Sequence, residues 1–296
     1  MSTVKWHEAP MIALDTETTG LDFNDDRIVT ASVVHRTPGQ RPRTITWLTD
    51  PGIDIPDEAA AVHGWTNDLI RARLEGAQAI RTTDKRTIAM SREGALAEIA
   101  GQAASAMLNG LAVIVYNAAF DLSMLETELV RAGIDPLSSR PAGIAGVVDP
   151  MVIEKQHDPY RKQCYRAPGC DPETRHHECG GCRGGKWRCG GCGSTDRTLT
   201  SLCAHYGITH TGAHDAAADA LAAVRLLGRL VGEWPQIGTW RLPTLHRHQQ
   251  TWRREQQAGL AKFFAKVGKQ EEAASCDGTW PVQASVVQAL GLAGAA

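Results

Sequence analysis

The sequence predicts an α/β protein in which helices pack against a mixed five-stranded sheet. Three β-branched, partly alternating segments lie within the first 50 residues, with proline and glycine between the second and the third, and they indicate an antiparallel meander. From residue 92 onward, segments with helical spacing alternate with two short apolar strands. A meander followed by alternating helices and strands is typical of a mixed sheet with helices on it.

The first half of the chain contains the meander and the first helices. The three strands are expected at 11–19, 27–36 and 43–50. Residues 55–64 begin with two acids after a proline and end in glycine, which favours a short helix with matching caps. Residues 92–108 carry apolar positions at helical spacing and lead into "LAVIVY", a strand of the buried type.

The second half is predicted to be mainly helical. A helix is expected at 118–133, where it ends in glycine, and a short strand at 145–150 precedes another helix. The helical pattern resumes at "LTSLCAHYG" and continues in a strong helix at 215–234. A further amphipathic helix begins at residue 243, and the last residues are rich in Ala and Gly. We therefore expect a C-terminal extension at 235–296 that consists of helix and a flexible tail.

Length and composition limit the class of protein. The chain has 296 residues, which predicts one large domain with appendages, or two domains. Its 43% hydrophobic and 22% charged residues are typical of a soluble globular protein. With a net charge of −2, binding of nucleic acid must depend on local patches or metal ions. The N-terminus lacks the apolar core of a signal peptide and no apolar run approaches a membrane span, so a cytoplasmic protein without membrane attachment is expected.

Two acids, Asp15 and Glu17, follow the apolar segment "MIAL" directly. Residues i and i+2 of a strand point to the same face, so the two carboxylates would lie side by side. Like charges that close cost free energy unless a cation lies between them. Taken alone, the pair also fits a strand that runs out into a solvated acidic turn.

Two further acids and a histidine occur at the ends of later elements. The strand "AVIVY" runs into "NAAFDLSML", which places Asp121 in the first turn of a helix just past the edge of the sheet. In "HDAAADA", His214 lies at the start of a helix, Asp215 is expected to be its N-cap, and Asp219 lies one turn inside. Singly, each residue also fits a structural role, such as stabilising a helix N-terminus. Together with the acids of the first strand, they favour a metal site.

This set of residues suits a two-metal phosphodiesterase. Two divalent ions roughly 3.5–4 Å apart clamp the attacking and leaving oxygens of an in-line displacement. Mg²⁺ and Mn²⁺ prefer oxygen ligands, which carboxylates supply. We expect Asp15 to bridge two such ions, Glu17 and Asp219 to complete one site, and Asp121 to serve the other. His214 is the expected base that takes a proton from the attacking water.

Three segments, "ALDTETTGLD", "YNAAFDLSML" and "HDAAADA", resemble the motifs of the DEDDh 3′–5′ exonucleases, the DnaQ-like family that includes the proofreading subunit of bacterial DNA polymerase III. The resemblance covers roughly residues 9–232, within an expected exonuclease domain at 9–234, and the H-x4-D spacing is that of the histidine subtype. It implies an RNase H-like fold. It also implies release of nucleoside 5′-monophosphates from the 3′ end of single-stranded or frayed DNA.

The same resemblance implies contacts with the terminal nucleotide. The residues expected to line or approach its site are Thr16, Thr18, Thr19, Gly20, Leu21, His63, Trp65, Asn117 and Phe120. Phe120 is expected to stack on a base, whereas His63 alone would more often be a surface residue at the end of a helix. These contacts are implied by the family resemblance, and the spacing of the residues alone does not indicate them.

Several functional alternatives stay open at this point. RNA is the alternative substrate, because the same metal chemistry cleaves either polymer and discrimination depends on the 2′-hydroxyl. A zinc-dependent nucleic-acid-binding module without activity is the alternative from another class. Proofreading during DNA replication would require a replicative polymerase as a separate partner, and a role in DNA repair is equally open.

The residues between 163 and 196 differ from the rest of the chain, since they are rich in Cys, Gly, Arg and His. Two C-x2-C pairs provide four thiolates that suit tetrahedral Zn²⁺, namely Cys179, Cys182, Cys189 and Cys192. Further candidate ligands, for a second zinc ion, are Cys164, Cys170, His176 and His177. The segment is predicted to be an insertion that at least one structural zinc ion orders. A substrate clamp is the alternative role, because these basic residues outnumber the local acids: Lys162, Arg166, Arg175, Arg183, Lys186, Arg188 and Arg197.

Overall fold

A computed structural model of the chain describes residues 4–76, 80–81, 85–159 and 196–292. All eight candidate zinc ligands, and the predicted insertion apart from Asp196 at its end, lie outside these ranges. None of the helices within the ranges is long and apolar enough to cross a lipid bilayer.

A seven-stranded sheet forms the centre of the described residues, in the order β4-β5-β3-β2-β1-β6-β7. Its strands are β1 (Met11–Thr18), β2 (Ile28–Arg36), β3 (Arg43–Leu48), β4 (Ile80–Arg81), β5 (Lys85–Ala89), β6 (Ala112–Ile114) and β7 (Val147–Val148). The meander pairs β2 antiparallel with both β1 and β3, whereas β6 pairs parallel with β1 and with β7. The predicted mixed sheet is therefore confirmed, and β1 is bonded on both sides.

The predicted number of strands is wrong by two. All five predicted strands are present, and the structure adds β4 and β5 beyond β3. The sequence of β5, "KRTIA", is short and half polar, so it shows no clear apolar alternation. The strand forms because the outer edge of β3 would otherwise leave its backbone N–H and C=O groups unpaired.

Eleven α-helices accompany the sheet in the described ranges: α1 (Asp57–His63), α2 (Asn67–Glu75), α3 (Arg92–Leu108), α4 (Ala118–Arg131), α5 (Pro150–His157), α6 (Leu199–His205), α7 (Ala216–Glu233), α8 (Gln236–Thr239), α9 (Leu242–Lys266), α10 (Gln270–Ala274) and α11 (Ala284–Leu290). Every predicted helix is present, and α2, α8, α10 and α11 are additional. The predicted N-cap Asp215 accepts a hydrogen bond from the Ala218 N–H at 2.9 Å, which confirms the start of α7.

Strand β1 is buried along its apolar half. Residues 11–14 are at most 4% exposed, because β2 and β6 cover both edges of the strand and helices α3 and α7 pack against it. This burial on all sides explains an apolar run without alternation. The pairing with β2 shifts its register between Glu17 and Thr18, where the strand ends. The strand thus carries Asp15 and Glu17 to the end of the sheet.

The C-terminal segment is packed as far as it is described, which contradicts the expected flexible tail. Trp280, Val282 and Val286 are each at most 3% exposed and belong to the same hydrophobic core as the sheet. Helix α11 contacts α4, and the Gln283 N–H donates to Ser123 Oγ at 2.8 Å. The Ala- and Gly-rich composition predicts little order, but a few large apolar side chains that reach a core are enough to fix such a segment.

Replacing Trp280 by alanine tests this packing. Because the side chain is buried, we expect Trp280→Ala to lower the free energy of unfolding by about 3–5 kcal/mol, as for other truncated core aromatics. The measurement is urea unfolding followed by far-UV circular dichroism. Leu108→Ala, at a position that is 67% exposed, is the control and should change stability by less than about 0.5 kcal/mol. Equal small effects of both variants would contradict a packed C-terminus.

Candidate active site

Three carboxylates meet where β1 ends and α7 begins. Asp15 and Glu17 come from β1, and Asp219 comes from the first turn of α7, which packs against that strand. One ligand oxygen from each of the three residues lies within 4.8 Å of the other two. The structure thus brings together three of the four acids that the sequence assigns to a metal site.

Asp121 joins this acidic group through direct hydrogen bonds to β1. It lies in the first turn of α4 and is 4% exposed. Its Oδ1 accepts two hydrogen bonds from Thr16, from the backbone N–H at 3.0 Å and from Oγ1 at 2.8 Å. Because Thr16 lies between Asp15 and Glu17, this contact holds the start of α4 against the acidic end of the strand.

The acidic group cannot carry its full negative charge at neutral pH without a compensating cation. Burial raises the pKa of Asp15 well above its ordinary value, and the neighbouring acids raise it further. Burial and the charge of Asp219 raise the pKa of Glu17 to about 8. Burial raises the pKa of Asp121 to about 7, although its hydrogen bonds from Thr16 oppose the shift. Such a set of facing carboxylates fits a divalent cation, which relieves both the repulsion and the cost of burial.

The predicted base, His214, lies beside Asp219. Its backbone N–H donates to Asp219 Oδ2 at 3.3 Å, and its side chain is exposed. His214 has a φ of 65°, a left-handed conformation that costs a residue with a side chain about 1–2 kcal/mol. Strain of this kind persists only where the surrounding contacts impose it, and here the bond to Asp219 and the adjacent N-cap do so. The backbone of His214 is therefore held beside Asp219, and its side chain is exposed to solvent.

His210, which the sequence analysis missed, binds the other oxygen of Asp219. Its Nε2 donates to Asp219 Oδ1 at 2.6 Å, and its side chain is 4% exposed. Its Nδ1 lies 3.3 Å from Thr200 Oγ1. Both oxygens of Asp219 thus accept hydrogen bonds from the segment before α7, which orients the carboxylate. His210 lies outside any helix or strand, so no periodic pattern marks it in the sequence.

Asp149 is a second residue that the sequence analysis missed. It is 1% exposed, and its Oδ1 accepts hydrogen bonds from the N–H groups of Asn117 at 3.1 Å and Met151 at 2.9 Å. Its Oδ2 accepts one from the Ala118 N–H at 3.0 Å. Asp149 thereby caps α4 and α5 together. The signal that could have found it is "VVDP", since Asp followed by Pro is typical of a helix start.

Four of the nine predicted nucleotide contacts, residues 18–21, lie at the end of β1 and in the loop that follows it. Thr18 Oγ1 donates to the carbonyl oxygen of Gly20 at 2.6 Å, and Thr19 Oγ1 donates to Asp26 Oδ1 at 2.7 Å. A Cβ on Gly20 would lie 2.4 Å from the Asp26 carboxylate, so the closed form of this loop requires glycine. Leu21 is 78% exposed and does not contribute to the core.

Two of the remaining predicted contacts, His63 and Phe120, differ in their surroundings. Burial lowers the pKa of His63, and the nearby charge of His214 lowers it further, while the backbone of Thr18 opposes the shift. His63 Nδ1 accepts a hydrogen bond from the Trp65 N–H at 3.1 Å. Phe120 is half-buried, and its ring centroid lies 5.7 Å from that of another phenylalanine. The structure thus brings His63 to the backbone of Thr18 at the end of β1 and close to His214, whereas Phe120 packs against Phe23.

Arg197 is the one member of the predicted basic clamp that lies in the described ranges. Its Nε donates to Glu154 Oε2 at 2.7 Å, and a terminal nitrogen donates to the Asp158 carbonyl at 2.7 Å. Its side chain is 16% exposed. The guanidinium is bonded to these groups, which argues against Arg197 as a member of the clamp that was the alternative role of the insertion. The zinc site and the rest of the clamp lie outside the described residues and stay predictions.

Asp15→Asn tests the repulsion within the acidic group. The pKa values of Glu17 and its acidic neighbours are higher in the folded protein than in the unfolded chain, so these carboxyl groups stay protonated to a higher pH in the folded state. The protonated acidic group therefore contributes stability to the metal-free protein that is present in acid and is lost as the pH rises from about 4.5 to about 8. At pH 8, removing one charge should raise the Tm of metal-free protein, by about 2–4 °C for each kcal/mol relieved. Thermal unfolding by circular dichroism measures this shift.

Asp54→Asn is the matched control, since it removes a carboxylate at an exposed position. Its Tm should equal that of the parent protein both at about pH 4.5 and at pH 8. A lower Tm of Asp15→Asn at pH 8 in the absence of metal would refute the proposed repulsion. Addition of Mn²⁺ should stabilise the parent protein more than Asp15→Asn, because the variant has lost a ligand.

The fold resembles that of exonuclease I. No protein-family model matches the sequence, and no curated protein matches it significantly. One exonuclease I structure aligns with a TM-score of 0.53 and 18% identity over 78% of this chain and 42% of that chain. E. coli exonuclease I in complex with a dT13 oligonucleotide aligns with a TM-score of 0.52 and 18% identity over 84% of this chain and 45% of that chain. The moderately thermophilic exonuclease I from Methylocaldum szegediense aligns with a TM-score of 0.50 and 20% identity over 78% and 42%.

These alignments concern the fold. The chain spans less than half the length of the exonuclease I chains that it matches. The particular likeness to the proofreading subunit of polymerase III stays a prediction. At this level of identity, the chain shares with exonuclease I a mixed α/β fold, which is consistent with the expected RNase H-like architecture.

Proposed function

We propose that this chain is a metal-dependent 3′–5′ exonuclease that releases nucleoside 5′-monophosphates from the 3′ end of DNA. One observation supports this most strongly: Asp15, Glu17 and Asp219 present ligand oxygens within 4.8 Å of one another. Asp121 is bonded to the strand between the first two. Buried carboxylates with raised pKa values are costly to a fold, so a site that gathers them indicates a cationic ligand and a catalytic role.

Two divalent cations, Mg²⁺ or Mn²⁺, suit this donor set, because both ions prefer carboxylate oxygens. Asp15, Glu17 and Asp219 would hold one ion, and Asp15 with Asp121 would hold the other. When bound, such a pair of ions neutralises the scissile phosphate, promotes attack by water and stabilises the leaving oxygen. The contribution of the chain is to hold the four carboxylates in place and to supply the base.

His214 is the proposed general base. Its side chain is exposed and its backbone N–H is bonded to Asp219, so the position of the His214 backbone depends on the same carboxylate that is proposed to bind metal. Imidazole is the side chain that accepts a proton near neutral pH, as abstraction from the attacking water requires. His210 is proposed to keep the Asp219 carboxylate oriented through its 2.6 Å contact.

Single-stranded DNA is the proposed substrate. Solved structures that resemble the fold include E. coli exonuclease I with dT13 and with dA16 oligonucleotides, and a zinc-bound form of its complex with single-stranded DNA. Those facts concern E. coli exonuclease I and favour DNA for this chain by analogy. The loop at 18–21 and the adjacent His63 are the proposed contacts of the terminal nucleotide. RNA is the alternative substrate, and a binding module without activity is the alternative from another class.

Two further parts of the proposal rest on the sequence. A structural Zn²⁺ in the insertion at 163–196 is proposed from its paired cysteines. A replicative polymerase as partner, and a role in proofreading, replication or repair, are proposed from the family resemblance alone.

Degradation of labelled nucleic acid tests the proposed activity. With Mg²⁺ or Mn²⁺, 5′-labelled single-stranded DNA should shorten stepwise from its 3′ end, faster than duplex DNA or RNA of the same sequence. Asp15→Ala should lower the rate by more than about 100-fold, the upper range for losing a residue that only supports a metal ligand. EDTA should abolish the ladder, and Asp54→Ala should preserve it.

The outcome on three substrates separates the alternatives. A ladder that is fastest on RNA would replace the DNA exonuclease with an exoribonuclease. If the folded, zinc-loaded parent protein binds DNA but shortens none of the substrates, the result would favour the binding module.

His214→Ala tests the assignment of the base. Loss of a general base typically lowers turnover about 10²–10⁴-fold, and we expect a decrease in that range. Because His214 is bonded to Asp219 only through its backbone, the affinity for Mn²⁺ should change little. Single-turnover kinetics and calorimetric titration with Mn²⁺ measure the two quantities. A parallel loss of turnover and of Mn²⁺ affinity would instead make His214 part of the metal site.

A further inference from the structure

Strand β7 forms one edge of the sheet, and the side chain of Gln249 covers that edge. β7 is the terminal strand and pairs only with β6 in the described sheet. Gln249, on α9, accepts a hydrogen bond from the Asp149 N–H at 2.7 Å and donates one to the Val147 carbonyl at 3.0 Å. A neighbouring strand would bond the same two backbone groups. Gln249 is 0% exposed, so a single buried amide from the C-terminal extension completes the edge.

Asp149, directly after β7, connects this edge to the acidic group. Its carboxylate accepts the N–H groups of Asn117 and Ala118, where α4 begins. Asn117 has a φ of 59°, a left-handed conformation that requires external support in a residue other than glycine. One turn further along α4, Asp121 reaches Thr16 on β1. The start of α4 is thus fixed from both sides.

Helix α9 also acts on the charge of Asp149. Burial raises the pKa of this carboxyl, whereas the bond from Ala118 and the positive charge of Arg253 lower it. Arg253 lies one turn after Gln249 on the same helix. An ionised carboxylate accepts hydrogen bonds on both oxygens without donating, as its contacts with three N–H groups require. The same helix therefore supports both the position and the charge of Asp149.

We propose that Asp149 and Gln249 are positioning residues for the acidic group, through which the C-terminal extension determines where Asp121 lies. Gln249 aligns Asp149 with the sheet, Asp149 anchors the first turn of α4, and that turn carries Asp121 to β1. The consequence for metal binding rests on the proposed function. The consequence for the start of α4 does not.

Variants of the full-length chain test this proposal. Gln249→Leu removes both bonds to β7 at similar volume, and Asp149→Asn replaces one acceptor oxygen with a donor while leaving α9 untouched. Gln256→Leu is the matched control, because Gln256 lies on the same helix and donates to the Val152 carbonyl of α5 at 3.0 Å without touching Asp149. All three are compared by amide hydrogen exchange of metal-free protein and by calorimetric titration with Mn²⁺.

We expect a local effect at the start of α4. In Gln249→Leu and Asp149→Asn, the amides of residues 117–120 should exchange at least about 10-fold faster, as when a hydrogen bond to a charged group is lost. The amides of β2 should exchange at the same rate as in the parent protein. A general loss of stability would instead speed their exchange as well. The affinity for Mn²⁺ should fall about 10–100-fold, the range for residues that support a metal ligand. Gln256→Leu should change neither quantity by more than about 2-fold, because its bond supports no metal ligand.

Each result decides one of the two proposals. Unchanged exchange at 117–120 in a folded Gln249→Leu or Asp149→Asn protein overturns the positioning role. If Gln249→Leu does not fold, Asp149→Asn decides alone. If the parent chain neither binds Mn²⁺ nor degrades DNA, the proposed function fails, and the exchange measurement still decides whether Gln249 and Asp149 fix the start of α4.

Discussion

The two hydrogen bonds from Thr16 to the Asp121 carboxylate are the contact on which the acidic group depends. They join the central strand to the first turn of α4 at the point where Asp15 and Glu17 repel any further acid. Hydrogen bonds to a charged acceptor contribute about 1.5–3 kcal/mol each, which is enough to oppose part of that repulsion. The fold thus holds acidic side chains close together at the end of β1 even though burial and their mutual repulsion raise their pKa values.

The four acids are held by three elements, β1, α4 and α7, which makes the arrangement rigid. The backbone of β1 fixes Asp15 and Glu17, whereas Asp219 is oriented by a histidine ring on one oxygen and a backbone N–H on the other. The loop that follows β1 is closed by Asp26, whose carboxylate accepts hydrogen bonds from Thr19 and from the backbone. The proposed metal would therefore need little rearrangement of the protein on binding, because the carboxylates already converge.

The C-terminal extension is part of the same structural unit as the site. Its helix α9 completes the edge of the sheet at β7, and its last helix, α11, packs against α4. Ser123 of α4, which is buried and lies two residues after Asp121, accepts a hydrogen bond from the Gln283 N–H. Sheet edges are normally protected by a helix or a loop, and here the protecting helix also supports the residues that carry the acids.

Periodicity, caps such as Asp215 and the order of three motifs are local signals, and they were enough to predict the mixed α/β class, the positions of most elements and the convergence of the main acids. Other features depend on contacts between residues that are far apart in the chain. The edge strand β5 forms because β3 needs a partner, His210 matters because it meets Asp219, and the C-terminal tail is packed because Trp280 reaches the core. The Asp149 N–H and Gln249 lie 100 residues apart, and contacts across such separations leave no periodic trace in the chain.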